Sequence, residues 1–399
     1  MRHVGISWQI GTTFGWGVYG YQIALELLRR GIMPALFEAP GPLHLDLLEQ
    51  RALAPAQQFR QQLASLIERQ GDAPIGTHAV VLHARGNNCD PQFGKISRRL
   101  RGSANHGLIF FENTRFQPTG LQALAAFDQV VAGSTWNGDV LRALGLRNVV
   151  DNIQGVEPAL FHPAPRRDLF SDRFVIFSGG KLEFRKGQDL VIAAVRAFRE
   201  RHPETLLVTA WHNYWPRDPG VTRLAQSPHL TVAPTIDANG ALEIGRWLAA
   251  NGLPPDSVFI LPSLPNGQMP QLLREADAAI FPNRCEGGTN LVAMETMACG
   301  VPSLVSANTG HLDLLGAGAG LSLTRQDPVA PANAEDGTDG WGESSVEEIV
   351  EGLERIWRDR AAAQQAGRDA SAAMHRFSWR NQAGRLLEVL NLSGAPAEA

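Results

Sequence analysis

The sequence predicts an α/β protein made of two doubly wound units. Two similar openings carry that reading, and a third feature separates them. Val4 to Ser7 reads as a short strand, Gly11 to Gly20 as a glycine-rich loop, and Tyr21 to Arg30 as a helix stopped by Gly31. The same order recurs at Phe174 to Ser178, Gly179 to Gly187 and Asp189 to Glu200. Between them lies Pro163 to Arg167, rich in proline and arginine, which reads as a linker. The expected division is 1–165 for the first domain, 166–376 for the second, and 377–399 for a final helix and tail.

The chain has 399 residues, of which 44% are hydrophobic and 19% charged, enough for two substantial cores. A net charge of -4 gives no general attraction for nucleic acid. Cys89, Cys285 and Cys299 fit no disulfide framework and no zinc spacing, and suit a reducing compartment. The N-terminus has no signal-peptide apolar core, and no apolar run is long enough to span a bilayer. The expected location is the cytoplasm. Neither a metal site nor a cofactor is expected, and nothing in the sequence bears on oligomeric state.

In the first unit further strands are expected at Met33 to Phe37, Ala79 to His83, His106 to Phe111, Phe127 to Ala132 and Val149 to Ile153. Leu43 to Glu68 and Thr135 to Leu144 read as helices. The loop from Gly11 to Gly20 lacks the glycine spacing of a dinucleotide fingerprint and the Gly-Lys-Ser/Thr of a P-loop. His83 is expected to be buried and hydrogen-bonded. Lys95, Arg98, Arg99 and Arg101 read as a solvated basic face, with a phosphorylated acceptor or an anionic membrane surface as the alternative partner.

In the second unit Leu206 to Ala210, Val258 to Leu261, Ala278 to Phe281 and Ser303 to Val305 read as strands. Trp211 reads equally as core or as a stacking platform. Gln326 to Ser344, rich in Asp, Ala, Gly and Pro, reads as a long mobile connection. Ser345-Val-Glu-Glu348 is a capping-box pattern at the start of the next helix.

The most informative stretch runs from Pro282 to Pro302. A buried strand leads through Glu286-Gly287-Gly288 into a helix that Thr289 or Asn290 can cap and that Gly300 and Pro302 stop. Free N–H groups at such a helix start suit an anion or a polar sugar, and paired glycines let a ligand approach the backbone. Ionised Glu286 and Glu295 bracket that start and can accept from vicinal hydroxyls. Lys181 and Lys186 lie on the loop after the unit's first strand, where two cations suit a diphosphate.

Glu286-Gly-Gly and Glu295-Thr-Met-Ala-Cys-Gly-Val-Pro302 resemble the signature of the retaining glycosyltransferases of family 4, which have the two-domain GT-B fold. Gly179 to Gly187 is similar to that family's glycine and two-basic-residue segment, and Gln154 to Pro163 to the segment that ends its first domain. Phe377-Ser-Trp379 resembles the segment before its final helix, which crosses back to the first domain.

The resemblance implies a transferase of hexosyltransferase type. It would move a sugar from a nucleotide-diphosphate donor to a hydroxyl of a carbohydrate, lipid-linked or small-molecule acceptor, without a metal. It implies donor contacts at Gly179, Gly180, Lys181, Lys186, Leu261, Leu264, Glu286, Gly287, Gly288, Thr289, Asn290, Leu291 and Glu295. Glu286, Glu295, Lys181 and Lys186 would carry the chemistry, with Glu286 at the transferred sugar and Glu295 at the ribose. Gly15, Gly17 and Glu112 would lie on the acceptor side.

Two departures stand out. Glu286 and Glu295 are one residue further apart than the family's usual pair, and Glu112 stands where the family often has a histidine. The competing readings are a non-catalytic homologue that binds a sugar nucleotide, and another GT-B enzyme such as a phosphorylase or epimerase.

Overall fold

The structure is a computed structural model that describes residues 3–92, 94 and 96–392. Lys95 of the basic cluster and the tail from Gly394 to Ala399 lie outside the described residues. The chain divides into two compact units, one formed by 1–155, 265–267 and 377–399, the other by 156–264 and 268–376.

The sheet of the first unit contains β1 (His3–Ile6), β2 (Met33–Leu36), β3 (Val80–Arg85), β4 (Ala104–Ile109), β5 (Gln129–Ala132) and β6 (Val149–Asp151), in spatial order β2-β1-β3-β4-β5-β6. Every pairing is parallel. Strands buried on both faces need continuous apolar runs, which Val4, Ile6, Val81, Leu82, Leu108, Ile109, Val130 and Val131 supply. The Trp379–Val389 helix belongs to this unit, where its Trp379 ring stacks on Tyr19.

The stretch expected as a loop from Gly11 to Gly20 is corrected. Helix begins at Gly15 and runs to Arg29, so Gly17 and Gly20 are helical. Gly11 N–H donates to the Gly17 carbonyl at 3.1 Å, which folds the real loop back onto the helix. The Leu47–Gln70 helix begins at Asp46, whose carboxylate accepts from Glu49 N while Glu49 reaches back to Asp46 N.

The second unit contains β7 (Phe174–Lys181), β8 (Thr205–His212), β9 (Val258–Ile260), β10 (Ala278–Phe281), β11 (Ser303–Ser306) and β12 (Leu321–Leu323), all parallel, in order β9-β8-β7-β10-β11-β12. The Gln188–Arg199 and Val346–Arg358 helices bury Leu190, Val191, Val195, Ile349, Leu353 and Ile356 against Ile176, Leu207, Ile280 and Leu304. Trp211 is part of this core, with its indole N–H on Ser178 Oγ at 3.2 Å.

Four sequence expectations change here. Gly179, Gly180 and Lys181 continue β7, paired with Ala210, Trp211 and His212. Gln326 to Ser344 is anchored at both ends by an antiparallel pair, Gln326–Pro328 with Gly342–Ser344. Val156 to Arg167 rides on the second unit, where the Arg166 guanidinium bonds Asp277 and the Ala276 carbonyl. The capping box at Ser345 forms only its serine half, because Glu348 turns to Thr324 N and Arg325 N.

Candidate active site

In the second unit β7 and β10 are neighbours in space, although two other strands lie between them in sequence. This is the point where the strand order reverses. The loops leaving two such strands diverge to opposite faces and open a crevice at the carboxyl ends. β7 ends at Lys181, and the loop after it carries Glu183, Arg185 and Lys186. The loop after β10 carries Asn283, Arg284 and Glu286.

The two loops are held together by backbone. Gly187 has φ 71°, and a Cβ there would overlap the Pro282 carbonyl oxygen, so only glycine lets the Phe184–Lys186 turn sit against the end of β10. Arg284 N donates to the Arg185 carbonyl at 2.7 Å. These contacts deliver the Lys186 ammonium to Glu286 Oε1 in an ion pair. Asn283 Nδ2 donates to the same oxygen, and Arg185 Nη1 lies 3.4 Å from Oε2. Burial would push the Glu286 carboxyl up. The Lys186 and Arg185 charges outweigh it and hold the group down at about 2.

The loop after β11 closes the other side. Thr309 Oγ1 accepts from Glu286 N at 2.9 Å, and Gly310 N donates to the Glu286 carbonyl at 3.0 Å. A Cβ on Gly310 would overlap the Gly288 carbonyl. Asn290 caps the Leu291–Ala298 helix, its Oδ1 accepting from Ala293 N, with its backbone at φ 60°. That orientation turns the Asn290 amide N–H toward His311 Nε2 at 3.1 Å. His311 Nδ1 then donates to Ser306 Oγ at 2.9 Å, and Ser306 donates to the Asn283 carbonyl at 2.7 Å. Burial pushes the His311 imidazole down to about 4, so it is neutral in this chain of bonds.

The sequence missed what lies beneath. Arg284 is fully buried and donates to both oxygens of Asp189, to Glu343 and to the Phe184 carbonyl. Its guanidinium also lies 3.8 Å from the Phe184 ring centroid. Glu343 comes from the end of the connection expected to be mobile, and Gly342 N bonds the Arg284 carbonyl.

Lys186, Glu286, Gly287, Gly288 and Asn290 therefore share one loop cluster. Glu295 is buried one turn into the helix that Asn290 caps, and Leu291 is that helix's first residue. Thr289 is buried, with its hydroxyl on Met294 Sδ. Gly179 packs under the helix, where an added Cβ would lie 2.8 Å from Val292. Lys181 faces Glu183 and Asp218, each at 3.2 Å. Leu261 is buried with its N–H spent on the Thr209 carbonyl at 2.8 Å, and Leu264 follows it half-buried. Gly15, Gly17 and Glu112 belong to the first unit, where Glu112 N bonds Asn87 Oδ1. Of the basic cluster, Arg98 and Arg101 are exposed, while Arg99 is spent on the Gly71 and Ala73 carbonyls.

Two parallel six-stranded sheets, one holding a cation–carboxylate site at its switch point, are the architecture of the GT-B fold. Residues 140–386 match the family described as Family 4 Glycosyltransferase in conflict systems, and the chain belongs to that family. It is 25% identical over 370 residues to a D-inositol 3-phosphate glycosyltransferase of Acidothermus cellulolyticus, covering 81% of this chain and 78% of the relative. The fold is similar to sucrose-phosphate synthase from Thermosynechococcus elongatus, with a TM-score of 0.64 at 16% identity over 98% of each chain. It is also similar to Anabaena HepE in complex with UDP-glucose, with a TM-score of 0.63 at 16% identity over 98% of this chain and 100% of that one. No described helix is long and apolar enough to cross a membrane.

Proposed function

We propose that the chain is a retaining glycosyltransferase that moves a sugar from a nucleotide-diphosphate sugar to a hydroxyl acceptor. The observation that carries this is the Lys186–Glu286 pair at the switch point of the second unit. Lysine and arginine there supply the positive charge that a departing diphosphate needs. Glu286, held ionised, is an acceptor for sugar hydroxyls, and Glu295 is the acceptor for the ribose. HepE bound to UDP-glucose, on the same fold, supports a nucleotide-sugar donor.

In this reading the bond from the sugar's anomeric carbon to the diphosphate breaks, and its electron pair goes to the leaving oxygen. The acceptor oxygen bonds to the same face of that carbon, and its proton passes to the departing diphosphate. The chain's cations stabilise the charge on the leaving group, which removes the need for a metal. The acceptor is a carbohydrate, a lipid-linked sugar or a small polyol. Relatives named D-inositol 3-phosphate glycosyltransferase support a phosphorylated small molecule among these.

The test is incubation with a panel of nucleotide sugars and polyol, sugar and sugar-phosphate acceptors, read by nucleoside-diphosphate release and by the anomeric configuration of the product. Release with retained configuration is expected. An inverted product removes the retaining assignment. Tight donor binding without release, with or without acceptor, points to the non-catalytic homologue instead.

A further inference from the structure

Lys181, Arg185 and Lys186 do not stand as an open cationic patch. They alternate with carboxylates. Asp218 Oδ2 and Glu183 Oε1 each lie 3.2 Å from Lys181 Nζ. Glu183 Oε2 pairs with Arg185 Nε at 3.0 Å, Arg185 pairs with Glu286, and Glu286 pairs with Lys186. Three cations and three carboxylates leave the run without net charge. A diphosphate that enters therefore competes with these carboxylates for the lysine ammonium groups.

The carboxylates differ in how firmly they are held. Glu286 is buried and bonded at both oxygens. Glu183 is buried, its carboxylate divides between Lys181 and Arg185, and its N–H is held by Gln188 Oε1. Asp218 ends an exposed segment, 213–218, that carries Tyr214 and Trp215 with 54% and 51% of their surfaces in solvent. The segment is tied down by Asn213 Nδ2 on the Leu182 carbonyl and by the Tyr214 hydroxyl on Ser263 Oγ. Asp218 Oδ1 caps the Pro219–Thr222 turn through Gly220 N, while its Oδ2 bonds the Lys181 ammonium and the Trp215 ring lies over that ammonium at 5.5 Å. The Lys181 backbone is fixed, because it is the last residue of β7 and its carbonyl accepts from Gln188 Nε2 at 2.9 Å.

We propose that Asp218, with the Trp215 ring beside it, is a displaceable latch on Lys181 that a donor diphosphate must open. An anionic phosphate oxygen replaces the Asp218 oxygen like for like, and the 213–218 segment swings away with Trp215. Resting neutrality keeps stray anions from occupying the site. A ligand that also engages Lys186 and the glycine-lined helix start has enough contacts to open the latch. This inference rests on the donor-site reading above.

The test is calorimetric titration of wild type, Asp218→Asn, Lys181→Ala and the double variant with inorganic pyrophosphate, UDP, GDP and ADP. The carboxamide introduced by Asp218→Asn keeps an oxygen in the place that accepts from Gly220 N, so the local turn is preserved. The variant should bind the diphosphates roughly fivefold tighter, the scale of one partly exposed ion pair. In the Lys181→Ala background the same substitution should change nothing. Trp215 emission, isolated by subtracting a Trp215→Phe protein, should shift on diphosphate binding to wild type. If wild type binds a diphosphate and Asp218→Asn binds it no tighter, the latch is wrong and the donor site stands. Tightening that persists without Lys181 is a general charge effect and also overturns the latch. If no diphosphate binds any of the four proteins, the donor reading fails and the latch falls with it.

Discussion

Arg284 and Asp189 form a two-pronged ion pair, Nη1 to Oδ1 at 2.9 Å and Nη2 to Oδ2 at 2.6 Å, with neither side chain exposed. The pair joins the loop after β10 to the first turn of the Gln188–Arg199 helix. Removing Arg284 leaves the buried Asp189 carboxylate with the Ser227 hydroxyl and no paired cation, and removing Asp189 leaves the buried Arg284 with Glu343 as its remaining counter-charge. Arg284→Ala or Asp189→Ala is therefore expected to destabilise the protein by about 3–5 kcal/mol. An Arg284→Met, Asp189→Leu double variant should lose much less. Urea unfolding of the three variants checks this.

Gly187 should be equally intolerant for a different reason. Its backbone is left-handed, and its Cα faces the Pro282 carbonyl with no room for a side chain. Gly187→Ala should cost roughly 1–3 kcal/mol in stability. It should also pull the Lys186 turn away from Glu286, so nucleoside-diphosphate binding should weaken by more than the stability loss explains. Thermal unfolding and calorimetry on one preparation separate the two effects.

The lysines and glutamates should part company in binding and turnover. Lys186→Ala should weaken nucleoside-diphosphate binding by about 1.5–3 kcal/mol and leave free nucleoside binding unchanged. Glu286→Gln removes the carboxylate that now occupies Lys186, so diphosphate binding should be unchanged or tighter while turnover falls. Glu295→Gln should instead weaken both diphosphate and intact donor. Full turnover in Glu286→Gln with a verified acceptor would remove Glu286 from the sugar site.

Acid should destabilise the fold in a defined window. Burial holds His83 and His311 neutral down to about 4. An unfolded histidine titrates at about 6.5. Between those values the unfolded chain binds more protons, so stability is complete above about 6.5 and falls as pH drops toward 4, by ~3 kcal/mol per histidine at most. Glu286 is depressed from about 4.5 to about 2, so its contribution is lost between those values, at the acid end of that window and below it. Urea unfolding from pH 7.5 to 4 should show the loss, and His311→Gln should flatten the slope.

The sequence by itself determined which residues make strands and helices, and which short motif carries carboxylates into a helix start. Those features have local causes. An apolar run such as Ala278 to Phe281 can only be a buried strand or a buried helix turn, and Gly300 with Pro302 must end a helix wherever it lies. Element ends were legible where one side chain caps its own turn, as at the helix start at Asn290, and were misplaced at the helix start at Gly15 and at the end of β7 past Gly179.

Tertiary structure alone decided the electrostatics. Lys181 and Lys186 look alike in sequence, two cations on one loop. In the fold one meets Asp218 and Glu183, while the other meets Glu286. Arg284 and Glu343 read as ordinary charges in a loop and a polar connection, yet they are 59 positions apart and bonded at 2.6 Å. A charged side chain carries no local mark of its partner, because its preference for water or for an opposite charge depends on burial. Burial is set only when strands that are far apart in sequence, such as β7 and β10, are laid side by side.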